Sequence, residues 1–177
     1  MKLSVMFDIE TLGTTTDSVI LSLGAVKFDP YSSEEPRDPK YFLLDIDQQV
    51  GAGRIIEDST LEWWGKQSDE ARDSAFTEEG RTDILDFIKQ FNKYIVGSDN
   101  VFSQGCFDIV LIENLLKQWL TPPPWRYWQI RDSRTILDMG DDSAKTSNQA
   151  AHNALADAYC QALAVQQVYK ALGVKRK

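Results

Sequence analysis

Apolar and polar residues follow two different periods along this chain. The first third reads as strands, the remainder as helices with short strands between them. Residues 2–10, "KLSVMFDIE", place Leu3, Val5, Met6, Phe7 and Ile9 in a run free of Pro and Gly, which predicts a buried strand. "TTTD" then predicts a turn, "SVILSLGAVKFD" a second strand ending near Asp29, and "KYFLLDID" a third. Between the last two, the proline-containing "PYSSEEPRDPK" reads as a surface loop. Together the three strands form a meander.

The period then changes. "STLEWWGKQSDEAR" predicts a helix with Ser59 as N-cap and Glu62 as its capping-box partner. In "EEGRTDILDFIKQFNKYI", Ile84, Phe87, Ile88, Phe91 and Ile95 recur at three- and four-residue steps, an amphipathic helix. "NVFSQG" predicts a short strand, and "FDIVLIENLLKQWL" a helix stopped by Pro122, Pro123 and Pro124. A final strand falls in "WRYWQIRDSRTIL", and a long last helix in "SNQAAHNALADAYCQALAVQQVYKAL". This order predicts an α/β fold: a mixed five-stranded sheet, meander first and parallel strands after, flanked by helices.

A length of 177 residues suits one domain with a proper core, expected over 1–173, and leaves the basic 174–177, "VKRK", as a solvated tail. With 42% hydrophobic and 26% charged residues the composition is that of a globular protein, and no apolar run approaches a membrane span. Cys106 and Cys160 form no disulfide framework and no metal-ligand spacing, which predicts reduced thiols in a cytoplasmic protein. The net charge of −8 argues against broad, non-specific nucleic-acid binding but leaves room for a local grip on one chain end.

The acids change the picture most. Asp8 and Glu10 lie two apart on the first strand, so both carboxylates leave one face of the sheet. Asp108 stands where a short strand meets an apolar helix, and Asp157 lies on a helix of mainly small residues. His152, the single histidine of the sequence, precedes Asp157 by five residues. On a regular helix that step separates side chains by about 140°, so the two converge only if His152 sits in the approach to the helix. Two carboxylates about 5 Å apart repel by roughly 3 kcal/mol at an effective dielectric of 20. Four gathered together need cations. Oxygen-only donors favour Mg²⁺ or Mn²⁺, and two such ions can hold the attacking and leaving oxygens of a phosphodiester while an imidazole takes the proton of the water. Taken singly, each acid has a plain reading too: an edge-strand face for Asp8 and Glu10, an N-cap for Asp108, an exposed helix position for Asp157.

"FDIETLG", "QGCFDIVLIENLL" and "HNALADAYCQAL" resemble, in order and spacing, the three motifs of the DEDDh (DnaQ-like) 3′–5′ exonuclease superfamily, with the H-x4-D spacing of its histidine branch. "DIETLGTTTDSVILSLGAVKFD" and the "STLEWWGKQSDEAR" segment extend the similarity to small phage and bacterial DexA-type members, over nearly the whole chain. The resemblance implies an RNase H-like fold, two Mg²⁺ or Mn²⁺ ions, and hydrolysis from a 3′ end releasing nucleoside 5′-monophosphates. It implies Asp8, Glu10, Asp108 and Asp157 as metal ligands and His152 as general base. Where many relatives carry Asn before the Phe-Asp of the second motif, this chain has Gln104, Gly105 and Cys106.

For substrate contacts, the resemblance points to Thr11 and Leu12, just after the second acid, although Leu12 equally suits a core. Trp63 and Trp64 are about 100° apart on a helix and cannot share one role, so one is expected in the core and one at the groove, where Trp64 is placed. Arg134, near Arg131 and Asp132, is a candidate for phosphate, unless these charges simply pair with one another. The expected partner is a single-stranded DNA or RNA 3′ end, DNA favoured, with a homodimer open and no membrane. The alternatives are an exoribonuclease trimming RNA ends and a non-catalytic nucleic-acid-binding or proofreading partner domain.

Overall fold

The computed structural model describes residues 2–140 and 152–176. The strands are β1 (Ser4–Thr11), β2 (Ile20–Phe28), β3 (Arg37–Leu44), β4 (Arg81–Thr82), β5 (Val101–Ser103) and β6 (Ile130–Asp132). The helices are α1 (Ile46–Gly51), α2 (Asp58–Trp64), α3 (Asp69–Phe76), α4 (Ile84–Ile95), α5 (Phe107–Gln118), α6 (Ser133–Leu137) and α7 (Ala154–Ala171), with a 3₁₀ turn at Tyr127–Gln129. The sheet order is β4-β3-β2-β1-β5-β6. The β1–β2–β3 meander is antiparallel, while β5 runs parallel to β1 and β6 parallel to β5. The expected mixed sheet is therefore present with a sixth strand, the two-residue β4 beside β3, too short to show any alternation.

The strict alternation of β1 separates two cores. Val5, Phe7 and Ile9 pack under α4 and α5, against residues such as Phe87, Phe91, Ile112 and Leu115. Met6, with Val26, Phe28 and Phe102, packs under α7 through Ala158, Ala162 and Val165. Alanines at 154, 158 and 162, four apart and fully buried, give α7 a flat stripe on which it lies close to the sheet. Asp8 and Glu10 continue the Met6 face toward the C-terminal end of β1, and so emerge beneath the first turns of α7. A third cluster, Leu12, Val19, Leu21, Trp64, Ala71 and Ala75, is roofed by α2 and α3.

Several local expectations are corrected. Ser59 caps nothing: α2 begins at Asp58 after Glu57, and the helical stretch breaks at Gly65, with α3 restarting where the Ser68 hydroxyl accepts the Ala71 N–H. The polar stretch before β3 is only partly loop, because the strand starts at Arg37 and carries Asp38 at φ 53° and Pro39 across a register shift. Proline has no N–H for the ladder and is tolerated where pairing is interrupted. Helix α7 starts at Ala154 behind the N-cap Asn153, and the 147–151 part of the long helix expected there lies outside the described residues. The tail is not simply solvated: Arg176 pairs with Asp29 at 2.8 Å and Asp99 at 2.9 Å and lies over the Tyr31 ring.

Candidate active site

Three parallel strands, β1, β5 and β6, end on the same edge of the sheet. Asp8 and Glu10 sit near the C-terminal end of β1, Asp108 opens α5 just after β5, and Arg134 lies in α6 just after β6. Open α/β sheets present their ligand sites at this edge. The β1–β2 register shifts between Glu10 and Thr11, so the ladder breaks immediately after the second acid.

Helix α7 completes the cluster from above. Asp8 faces Gly24 on β2, and at Gly24 a Cβ would stand only 2.1 Å from the backbone nitrogen of Leu155 and 2.2 Å from the carbonyl carbon of Ala154. Only glycine allows the helix that near, and its approach brings Asp157, in the first turn, down to β1. Ligand oxygens of Asp8, Glu10 and Asp157 all lie within 4.8 Å of one another. Asp108 stands outside that tight triangle but within electrostatic reach of Asp8 and Glu10. Its N-cap reading is excluded. Asp108 is the second residue of α5, its carboxyl caps nothing, and it is only 8% exposed.

Burial is the main cost of this arrangement. It raises the Asp8 carboxyl to about 7, with the Asp157 charge adding and a hydrogen bond from Gln161 opposing. Burial likewise raises Glu10, 9% exposed, to about 9, followed by repulsion from Asp8, Asp157 and Asp108. Asp108 is pushed well above the usual carboxylate range by burial and then by Asp8, while the Arg134 guanidinium acts the other way. Without added cations, the pocket therefore favours protonated acids.

His152 sits just before α7, as its convergence with Asp157 requires. Its φ of 66° is a left-handed conformation, and its backbone N–H donates to Asp157 Oδ2 at 3.1 Å. Asp157 thus holds the histidine's main chain. The imidazole rests edge-on against Trp63, ring centres 4.7 Å apart. Asn153 continues the anchoring: its side chain accepts the Ala156 N–H and donates to the Ser74 hydroxyl of α3 at 2.9 Å.

The substrate-contact expectations divide. Trp64, placed at the groove from the sequence, is a core residue at 2% exposure, its indole N–H donating to the Thr11 carbonyl at 2.9 Å. Trp63 is the exposed ring, at 40%, beside His152. Leu12, also 2% exposed, belongs to the same cluster as Trp64 and takes the core side of its two readings. Thr11 is half-buried, and its hydroxyl donates to the Gly13 carbonyl at 2.7 Å. Arg134 is exposed, its Nε 3.9 Å from where a Cβ on Gly105 would be. The charges of this segment do not pair as they might have. Arg131 donates to the carbonyls of Trp128 and Ile130, while Asp132 accepts the N–H groups of Gly105 and Arg134. Asp132 thereby ties the turn before Asp108 to the end of β6, from which α6 with Arg134 starts.

Two contributors escaped the sequence reading. Gly24 had a signal, an isolated glycine inside a strand, which marks a bulge or a close backbone approach. Gln161 had a weaker one, its place one helical turn after Asp157.

The family model described as "3'-5' exoribonuclease Rv2179c-like domain" matches residues 3–169. The chain belongs to this family. It is a 3′–5′ exonuclease of the DEDD type, as the motif resemblance implied. The family member is also 27% identical to the exodeoxyribonuclease of Enterobacteria phage T4 over 160 residues, 75% of this chain and 70% of that protein. Among solved structures, the RNase domain of the yeast Pop2 protein superposes with a TM-score of 0.63 at 14% identity, over 97% of this chain and 78% of that one. Exonuclease X, solved with 5′ overhanging duplex DNA, gives 0.59 at 17% identity, over 97% and 94%. These likenesses establish the RNase H-like fold. No helix among the described residues is long and apolar enough to cross a membrane.

Proposed function

We propose that this exonuclease removes nucleotides from single-stranded DNA 3′ ends, using two Mg²⁺ or Mn²⁺ ions held by Asp8, Glu10, Asp108 and Asp157, and releases nucleoside 5′-monophosphates. One observation carries the reading: three partly buried carboxylates from β1 and α7 converge within 4.8 Å of one another. The donor set fits hard cations. It offers only oxygens, and burial raises the acids with little positive charge among the described residues to offset it, Arg134 being the guanidinium that bears on Asp108. Bound there, such ions would polarise the scissile phosphate and lower the pKa of a water nucleophile.

The rest falls to the chain's own residues. His152 accepts the proton of the attacking water, its main chain held by Asp157 while the imidazole stays beside Trp63. Arg134 binds a substrate phosphate from the β6 side. Trp63, not Trp64, offers an aromatic face to a base at the groove, where base stacking on aromatic side chains is a common means of holding single strands.

DNA is taken as substrate because the T4 relative is an exodeoxyribonuclease. RNA is the second reading, favoured by the exoribonuclease description of the family model. Incubating purified protein with 5′-labelled single-stranded DNA, single-stranded RNA and duplexes, with Mg²⁺ or with EDTA, tests all of this. The expected result is a ladder shortening from the 3′ end, only with metal, fastest on single-stranded DNA and absent for Asp8→Ala. A ladder in EDTA, or one that survives Asp8→Ala, overturns the metal reading. Faster RNA shortening transfers the substrate to the second reading.

A further inference from the structure

The buried side-chain amide of Gln49 uses both ends, whereas the amide oxygens of Asn92 and Gln161 are buried without a partner among the described residues. Gln49 accepts the Ile20 N–H at 2.8 Å and donates to the carbonyls of Ile20 and Asp45. Gln161 differs. Its Nε2 donates to Asp8 Oδ1 at 2.8 Å, while its Oε1 is inaccessible to solvent and has no partner among the described residues. Leaving a buried acceptor unmade costs free energy, so folding alone gives little reason for an amide here. A methyl-bearing side chain would fill the space without the orphan.

The position explains the choice. Gln161 follows Asp157 by four residues, so the two project from the same stripe of α7 toward β1. From there an amide orients one oxygen of Asp8 and leaves the other for a cation. A lysine or arginine would instead pair with Asp8 and take the place of the ion, and an acid would add a fifth negative charge. Among the unbranched side chains of this length (Gln, Glu, Lys, Arg and Met), only the amide donates without altering the pocket's charge. Outer hydrogen bonds of this kind fix metal-binding carboxylates in other proteins, and losing one typically costs about 10–100-fold in affinity or activity.

We infer that Gln161 is a positioning residue for metal binding, holding Asp8 through the Nε2–Oδ1 hydrogen bond. The inference rests on the reading of Asp8 as a metal ligand. Calorimetric titration of the full chain with Mn²⁺ tests it, using Gln161→Met, Gln161→Lys and Asp8→Asn beside the parent. Gln161→Met keeps the volume and removes the hydrogen bond. It is expected to raise the Mn²⁺ dissociation constant about 10-fold or more, to lower kcat at limiting Mn²⁺ with recovery at saturating Mn²⁺, and to leave the metal-free melting temperature unchanged or higher. Gln161→Lys is expected to bind Mn²⁺ least among the Gln161 variants and to melt higher than the parent without metal. It covers the case in which the Met variant fails to fold. Mn²⁺ affinity of either variant within about twofold of the parent overturns the inference, provided Asp8→Asn has lost affinity. If Asp8→Asn also binds as the parent does, the metal-ligand reading itself falls.

Discussion

The backbone nitrogen of Leu155 lies 2.1 Å from the point a Cβ on Gly24 would occupy, so the start of α7 rests directly on β2 opposite Asp8. The pocket exists because of that approach. Gly24→Ala must therefore lift the helix end or distort the strand, at about 1–3 kcal/mol for overpacking. Because Asp157 rides on the displaced turn, turnover is expected to fall well beyond the stability change. A melting curve and a steady-state assay on the same preparation check this: near-parent kcat with a lowered melting temperature would show that the approach serves packing alone.

Metal and pH should act against each other. Burial raises Asp8 to about 7 and Glu10 to about 9 in the metal-free protein, above their ordinary values. An acid with a raised folded pKa binds more protons folded than unfolded. Its contribution to stability is complete below its ordinary pKa and is lost as pH rises through the folded one. The metal-free melting temperature is therefore expected to drop between about pH 5 and about pH 9. Binding of Mn²⁺ should release protons, tighten with pH and remove most of that drop. Melting curves with Mn²⁺ and with EDTA across this range provide the check. A pH-independent EDTA series would contradict the burial of these acids.

The adjacent tryptophans should separate by phenotype. Trp64→Ala empties a core site and breaks the bond to the Thr11 carbonyl, with an expected loss of about 3–5 kcal/mol in denaturant unfolding. Leu12→Ala, in the same cluster, should lose about 2–5 kcal/mol. Trp63→Ala leaves the core intact and removes the ring beside His152, so stability should hold while KM rises and kcat falls. Equal destabilisation by Trp63→Ala and Trp64→Ala would overturn the division of roles.

Arg134 should behave as a substrate residue. A charge-assisted bond to phosphate is worth about 1.5–3 kcal/mol, or about 10–100-fold in kcat/KM, so Arg134→Ala should lose that much with little change in melting temperature. Since its guanidinium also favours the ionised form of Asp108, the variant should need more Mn²⁺ or a higher pH for half-maximal activity. Unchanged kcat/KM would remove Arg134 from the site.

Legibility followed the range of the interactions. The β1 strand, the apolar period of α4 and the helix α5 are local and appeared as expected, since each needs only its own segment. The failures were positional. Ser59 looked like a cap because cap chemistry repeats along the chain, and Ser68 is where the backbone turns. The roles of Trp63 and Trp64 depended on which face α2 lays over Leu12 and Val19, a matter of docking and not of period. One partner of Asp132 is likewise the Gly105 backbone N–H, 27 residues away, which no spacing rule indicates.

By itself, the order of residues determined the sheet with its flanking helices, and it marked Asp8, Glu10, Asp108 and Asp157 as out of keeping with their surroundings and His152 by its spacing from Asp157. Charged groups placed against hydrophobic periodicity stand out in one dimension because burial makes them costly. Only the tertiary structure decided which of these meet most closely, which tryptophan is exposed, and that Gln161 and Gly24 take part. Those outcomes depend on how near α7 comes to β1 and β2, a distance set by the absence of one Cβ and by side chains far apart along the chain.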